Sequence, residues 1–348
     1  MHRRKSFSRR TLCQMTAASI LSGLLPRRVA AADFRPMKMV LSWSFTGEES
    51  SLVLAQEGGY FKREGVTVQV DRGYGSGDTI AKVASGAYEF GLADVSAAMQ
   101  FNARQGGTKI IDVFQFGDSA PLAILSLAES KISVPADLQG KKIASPPGDS
   151  TRLMFPAFAL ANKIDPASIS WLDVSPQLRE TMLVQKQADA ISAQVTHVPA
   201  LRRLIRPGQS ISVMKYSDFG LNLYGHAIIT TPEFAEKNGD AIRAVLRACV
   251  AALKKSIEDP SASIEALFKR DQLVDKSLES ERQKTNLENV ILTKHVLANG
   301  LSAVDPARLQ ANARIVSQAF GFGEIDVSKL YRPEFLPPAE ELRVPKAG

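Results

Sequence analysis

From Met37 onward, short apolar runs alternate with stretches whose apolar positions recur at helical spacing. Met37–Trp43, Val66–Val70, Tyr88–Ala93, Thr108–Phe116, Leu122–Leu127, Lys142–Ser145, Ile169–Leu172, Ala188–Ala193 and Ser212–Tyr216 read as strands. Among them, Ser50–Glu57, Thr79–Ser85, Leu153–Asn162 and Gln177–Gln185 read as helices. This order argues for βαβ units and mainly parallel sheets. The tail changes character. Asp240–Ile257, Pro260–Lys269, Leu278–Ala298 and Pro306–Ala319 all read as helices, with Asp305 placed to cap the last ahead of Pro306.

The first 32 residues follow other rules. A basic start holding Arg3, Arg4, Lys5, Arg9 and Arg10 leads into an apolar stretch, Leu12 to Leu25, and ends at Ala30-Ala31-Ala32. That is the pattern of a cleavable export signal, residues 1–32. Its apolar core is too short for a bilayer, which needs about 20 residues. Ser8-Arg9-Arg10-Thr11-Leu12 resembles a twin-arginine signal, with Leu12 where Phe is usual; the general secretion route stays open. Cys13 lacks the small residues that would precede a lipid-modified cysteine.

The signal also accounts for the basic balance. It holds seven of the 43 Lys and Arg and none of the 36 Asp and Glu, so the remainder is neutral. Nothing global therefore points to nucleic acid. The rest of the 348-residue chain is long enough for two domains or one large one. It holds one cysteine, Cys249, on the apolar stripe Ile242, Val245, Leu246, Cys249, Val250, Leu253, which reads as core packing.

Two strand–turn–helix junctions pose the same problem. In Val68–Thr79, Gly73, Gly75 and Gly77 let the chain turn sharply between a strand and a helix. In Ile143–Thr151, Pro146-Pro147-Gly148 does the same. Helix N-termini gather N–H groups and the positive dipole end, which suit an anion or a polar ring atom. Asp78 and Asp149 can equally cap their own helices. Two such turns in successive α/β units suggest matching lobes that face one cleft. The third glycine of a dinucleotide-binding loop is misplaced, which counts against that reading.

The chain resembles the solute-binding proteins of ABC importers for nitrate, sulfonates and thiamine pyrimidine precursors. The likeness runs from about Met37 to Phe320. It rests on Ala55-Gln56-Glu57-Gly58-Gly59-Tyr60-Phe61-Lys62-Arg63-Glu64-Gly65-Val66, Gly75-Ser76-Gly77-Asp78, Val83 to Asp94, Pro135 to Ile143, and Tyr216 to Gly225. The resemblance implies an α/β, two-lobed type II periplasmic-binding fold, with mainly parallel sheets flanked by helices and a ligand cleft between the lobes. Lobe 1 would hold residues 33–120 and 217–348, lobe 2 residues 121–216. Hinges would lie near Asp118–Pro121 and Met214–Phe219. The implied partners are a small ligand and a membrane permease, with the chain a monomer in the periplasm and without cofactor or metal.

In the pyrimidine-precursor branch a Trp commonly follows the first strand, and Trp43 matches it. Its ring would stack on a flat heterocycle, or simply pack at the lobe edge. The Asn or His usual shortly afterwards is replaced here by Gly47-Glu48-Glu49-Ser50. The remaining ligand candidates are Tyr74, Ser76 and Gly77 in the first turn, and Asp149, Ser150 and Thr151 in the second. Asp94 and Ser96 follow the third strand, where Asp94 would accept from a ligand amine or cap a helix. Phe116 and Asp118 run into the hinge, Gln194 lies across the cleft, and Tyr216 and Tyr224 flank the return crossover. His197 reads as a surface or supporting histidine. An aromatic heterocycle such as a thiamine pyrimidine precursor is the expected ligand. An alkyl- or arylsulfonate, taurine or nitrate is the alternative, as is a role as partner of a membrane sensor. No metalloprotease, redox, nucleophile-elbow or P-loop motif is present, so an enzyme is not expected.

Overall fold

The computed structural model describes residues 35–345; the expected export signal lies outside them. Ten strands form two five-stranded sheets. In chain order they are β1 Met37–Val40, β2 Val68–Asp71, β3 Phe90–Asp94, β4 Ile111–Gln115, β5 Leu122–Leu127, β6 Lys142–Ser145, β7 Ser170–Asp173, β8 Ala190–Gln194, β9 Ile211–Lys215 and β10 His226–Thr230. The first sheet runs β2-β1-β3-β10-β4 and the second β7-β6-β8-β5-β9. Every residue of β3, β4, β5 and β10 is buried. Strands covered on both faces read as near-continuous apolar runs rather than alternating ones, which is why β5 is plain in the sequence.

The sheets are mixed: in each, four strands run the same way, as the alternation predicts, and one runs against them. β10 runs antiparallel to both β3 and β4, and β5 antiparallel to both β8 and β9. Each of these two strands enters its sheet directly after a crossover from the other lobe. No helix returns the chain to the starting edge, so the parallel rule does not apply. β10 is the one strand that the sequence pattern misses.

The two crossovers lie side by side. Gly225 N–H donates to Gly117 C=O (2.9 Å), and Ala120 N–H to Leu223 C=O (3.0 Å). Arg308 clasps both: it donates to the Asp118 carboxylate (2.9 Å) and carbonyl (2.7 Å), and to Leu223 C=O (3.2 Å). Its helix, Pro306–Phe320, is capped by Asp305, which accepts from Ala307 N–H (2.8 Å). The helix packs against Val95–Arg104 of the first lobe and Ser150–Ala161 of the second. One apolar cluster therefore continues from lobe to lobe, through Ala98, Ile124, Phe155, Phe158 and Ala313.

The expected helix Leu278–Ala298 is broken. Lys276–Asn286 is α-helical, Leu287–Ile291 forms a π-turn, and Lys294–Asn299 restarts with Thr293 as its cap. The hinge competes for this backbone: Ser119 N–H donates to Val290 C=O (3.1 Å), and the Thr293 hydroxyl to Asp118 (2.5 Å). Among the described residues no helix is long and apolar enough to cross a membrane. Arg308→Ala should cost about 2–4 kcal/mol, because it leaves the buried Asp118 carboxylate without its cation and removes a donor from the hinge carbonyls. Urea unfolding should show this as a lower midpoint at an unchanged slope.

Candidate functional site

The carboxyl ends of the strands carry the cleft. β1 leads to Ser42 and Trp43, β2 to the Gly73–Gly77 turn, and β3 to Asp94 and Ser96; β10 begins at His226, opposite Asp94. From the second lobe, β6 leads to Asp149 and Ser150, and β8 to Gln194, Thr196 and His197.

The two glycine turns meet each other. Gly77 N–H donates to Gly148 C=O of the opposite lobe (3.1 Å). Gly75 has φ +114°, and a Cβ there would strike the Gly148 carbonyl, so the closed seam needs glycine. The second helix start is occupied as well. Asp149 caps its own helix through Arg152 N–H (3.2 Å) and accepts from the Ser192 hydroxyl (2.9 Å). These helix starts thus receive a carbonyl and a carboxylate of the protein itself, not an exogenous anion.

Arg179 is the centre of the second lobe's contribution. Its side chain is fully buried. It pairs with Asp149 (3.3 Å) and Glu180 (2.8 Å), and lies 2.9 Å from His197 Nδ1. Its guanidinium stands 5.0 Å from the centre of the Trp43 ring, in cation–π range across the cleft. Burial works against the Arg179 charge, but Glu180 and Asp149 overcome it and raise its pKa further. Burial likewise opposes the Glu180 charge, and Arg179 and His197 outweigh it, holding that carboxyl well below its ordinary range. Trp43 and His197 meet edge to face, with ring centres 5.7 Å apart. In this closed state Trp43 is therefore an interlobe contact.

The first lobe supplies buried acids. Glu48 sits 3.9 Å from His197 Nε2. Burial pushes its pKa up, but His197 and Arg282 more than offset this and leave it lowered. Burial raises Glu49 to about 8 despite a short hydrogen bond from the Ser42 hydroxyl. Burial also raises Asp94 to about 7, against the N–H groups of Ala97 and Ser96; Asp149 across the cleft adds to the rise. Burial depresses His226 to about 4, so it is neutral at pH 7 even with Glu48 and Asp149 nearby.

Several of these groups are incomplete. Glu48 Oε2, Asp94 Oδ2, Ser96 Oγ and Thr196 Oγ1 are buried without a hydrogen bond of good geometry, although the Thr196 hydroxyl is close enough to Glu48 to help lower its pKa. Buried polar atoms are normally satisfied, and Asp112 Oδ2 and Gln115 Oε1 on β4 share the exception. A cavity of about 330 Å3 opens between the lobes, lined by Trp43, Ser44, Glu180, His197, Leu204 and Arg282; Glu48, Asp94, Ser96 and Thr196 do not line it.

The structure brings together Trp43, Ser76, Gly77, Asp94, Ser96, Asp149, Ser150 and Gln194 at this seam. Gln194 Nε2 reaches the Ser150 hydroxyl (3.4 Å) and His226 Nε2 (3.5 Å). Asp94 is both cap and cleft group: Oδ1 accepts from Ala97 N–H (2.9 Å) while Oδ2 is unpartnered. The other candidates lie elsewhere. Thr151 donates to Ala193 C=O (2.7 Å) inside the second lobe. Tyr216 stacks on Phe158, with ring centres 4.2 Å apart, and donates to Thr151 C=O (3.1 Å). Phe116 is buried in the first lobe's core, and Asp118 is held in the hinge by Arg308 and Thr293. Tyr224 lies under Arg308, and its hydroxyl accepts from Asp305 N–H (2.8 Å). Tyr74 is exposed between Arg72 and Lys82.

Sequence reasoning missed Glu48, Glu49, Arg179, Glu180, His226 and Arg282 as site residues. The adjacent acids Glu48-Glu49, set just after the first strand and ahead of an apolar helix, are a usable signal. Arg179 has none, since an Arg-Glu pair at a helix start reads as solvated surface.

The chain belongs to the NMT1/THI5-like family, whose model matches residues 48–263. A curated relative, the formylaminopyrimidine-binding protein of Halalkalibacterium halodurans, is 25% identical over 270 residues, covering 76% of this chain and 79% of its own. The alkanesulfonate-binding protein SsuA of Xanthomonas axonopodis pv. citri, solved with MOPS, has a TM-score of 0.64 at 18% identity, covering 90% of this chain and 97% of its own. The periplasmic nitrate-binding protein NrtA of Synechocystis PCC 6803 has a TM-score of 0.67 at 13% identity, covering 90% and 91%. At these identities the two structures show a shared periplasmic-binding fold.

The raised acids set a pH dependence. Asp94 and Glu49 bind protons more tightly folded than unfolded, so their contribution to stability is complete below their unfolded pKa and is lost as pH rises through about 7 and 8. His226 acts oppositely, but only between about 4 and its unfolded value near 6.5. Above about pH 6.5 the carboxyls therefore act alone, and the ligand-free midpoint should fall by about 3–6 °C towards pH 8.5. Asp94→Asn should flatten part of that slope in a thermal scan.

Proposed function

We propose that this protein captures a flat nitrogen heterocycle rich in N–H donors, of the formylaminopyrimidine kind, and delivers it to the permease of an ABC importer from the periplasm. On this reading residues 1–32 export the chain, and the cleft binds without catalysing a reaction. The observation that carries the ligand class is the pair of buried acids Glu48 and Asp94, whose Oε2 and Oδ2 lack a hydrogen bond of good geometry. Glu48 stays ionised beside the Thr196 hydroxyl, and Asp94 becomes an acceptor once it gives up its proton. An aminopyrimidine brings exocyclic N–H groups to meet them and ring nitrogens that accept from hydroxyls such as Ser96 and Thr196. The curated relative's name supports the same class.

A sulfonate or nitrate brings only acceptors. It would set negative charge against Glu48 and Asp94, next to Glu49, Asp149 and Glu180. The fully buried cation, Arg179, is already held between two of these acids. The seam's polarity thus argues against an anion even though the fold is shared with anion binders.

Protein unfolded and refolded to strip bound solute should gain thermal stability from a formylaminopyrimidine or its hydroxymethyl analogue. Taurine, ethanesulfonate and nitrate should give no gain; a sulfonate shift without a pyrimidine shift would overturn the assignment. Glu48→Gln and Asp94→Asn should each weaken pyrimidine binding about tenfold or more, the scale of one charge-assisted hydrogen bond. Because ligand-free Asp94 holds its proton up to about pH 7, accepting a ligand N–H releases that proton. Affinity should therefore rise as pH goes from about 6 to about 8, and calorimetric heats should vary with the buffer's ionisation enthalpy. Asp94→Asn should lose that dependence.

A further inference from the structure

We propose that Arg203 is a positioning residue for ligand retention: it latches the second lobe to the helix Lys276–Asn286 and so holds the cleft closed. This rests on the solute-binding reading of the cleft but not on the identity of the ligand. Arg203 lies on the second-lobe helix Val198–Leu204, directly after the turn that carries Thr196 and His197. Its guanidinium forks onto three groups of the other lobe. Nη1 donates to Asp275 (2.6 Å), and Nη2 to the Ser277 hydroxyl (2.6 Å) and to Glu281 (2.7 Å). A planar fork with several fixed donors fits this; a lysine would satisfy one partner at a time. Asp275 is itself pinned, because it caps the helix through Ser277 and Leu278 N–H (2.9 and 3.0 Å).

The helix it grips is a strut between latch, pocket and hinge. One turn along, Glu279 accepts from Gly47 N–H (2.6 Å), and a Cβ on Gly47 would strike the Glu279 carbonyl. Arg282 acts on the Glu48 carboxylate, and Asn286 donates to Glu48 C=O (2.9 Å). The π-turn that follows receives the hinge through Ser119 and Val290 (3.1 Å). Releasing Arg203 therefore removes the ion-pair tie between this strut and the moving lobe and leaves only its packing against Val195–Leu204. The latch groups are a third to a half exposed, so salt must weaken them, unlike the buried contacts of Arg179.

The test is small-angle scattering of the ligand-free protein, with circular dichroism as the folding control. Arg203→Glu should raise the radius of gyration by about 1 Å, the scale of partial hinge opening. Salt raised from about 0.1 M to about 1 M should move the wild type the same way, since the Debye length falls from about 10 Å to about 3 Å. The variant sets like charges together, so salt should leave it unchanged or draw it closed, and the swap Arg203→Glu with Glu281→Arg should recover much of the closed dimension. Identical, salt-independent radii for wild type and Arg203→Glu, or a folded swap that recovers nothing, would overturn the proposal. With a formylaminopyrimidine as probe, Arg203→Ala should speed dissociation about three- to tenfold with little change in association. If no pyrimidine binds, the scattering still decides the latch, so the two readings fail separately.

Discussion

Arg179 is buried without any exposed side-chain surface, and a charge in that position is tolerable only if its surroundings are fixed. Asp149 and Glu180 balance it, His197 touches it, and the Trp43 ring faces it from the opposite lobe. Each partner has a second duty. Asp149 caps the helix at the second glycine turn, and Trp43 follows the first strand. The cation thus ties the position of the second lobe's turn to the wall of the first lobe. Opening the cleft separates Arg179 from Trp43 but leaves both of its carboxylates, which lie on its own lobe. The charge stays compensated in both states, and closing adds an aromatic contact without stranding a charge.

The first lobe is not balanced in this way. Glu48, Glu49 and Asp94 are all buried on the cleft side, and two of their oxygens, together with a third on Glu49, have no partner. Protonation answers part of the need, as the raised values of Asp94 and Glu49 show. Glu48 instead stays ionised beside His197 and Arg282. The two acids thus differ in charge below about pH 7, Glu48 an acceptor as it stands and Asp94 one only after losing its proton. Neutral His226 and Gln194, 3.5 Å apart, widen that set without adding charge.

The first-order organisation was written in local pattern. β5 and β6 are buried apolar runs and were placed to the residue, as was the helix Ser50–Glu57. What escaped depends on tertiary contacts. β10 starts with His226 straight after a glycine and forms only because two strands of the other excursion flank it. The long tail helix has an unbroken helical period, but the hinge takes the C=O of Val290 and the hydroxyl of Thr293. Among residues at the seam, Trp43, Asp94, Asp149 and Gln194 are legible because they end or closely follow strands, a rule of topology. Arg179 and Arg282 lie on helices, where charged residues read as solvent-facing. Asp118 and Tyr224 end up in the hinge because Arg308, nearly 200 positions away from one of them in sequence, claims both crossovers.

The scaffold is shared with proteins whose names record binding of a sulfonate and of nitrate, so the ligand class must reside in the ends of the strands rather than in the sheets. Helix N-termini are the general anion device of such folds. Here Gly77 N–H goes to the Gly148 carbonyl, and Asp149 stands at the other helix start. The glycine turns thus form the seam between lobes, and the buried acids stand one loop over, after β1 and β3. Gly47 is the residue that fits against the Glu279 backbone, and the two acids beside it are thereby held inward.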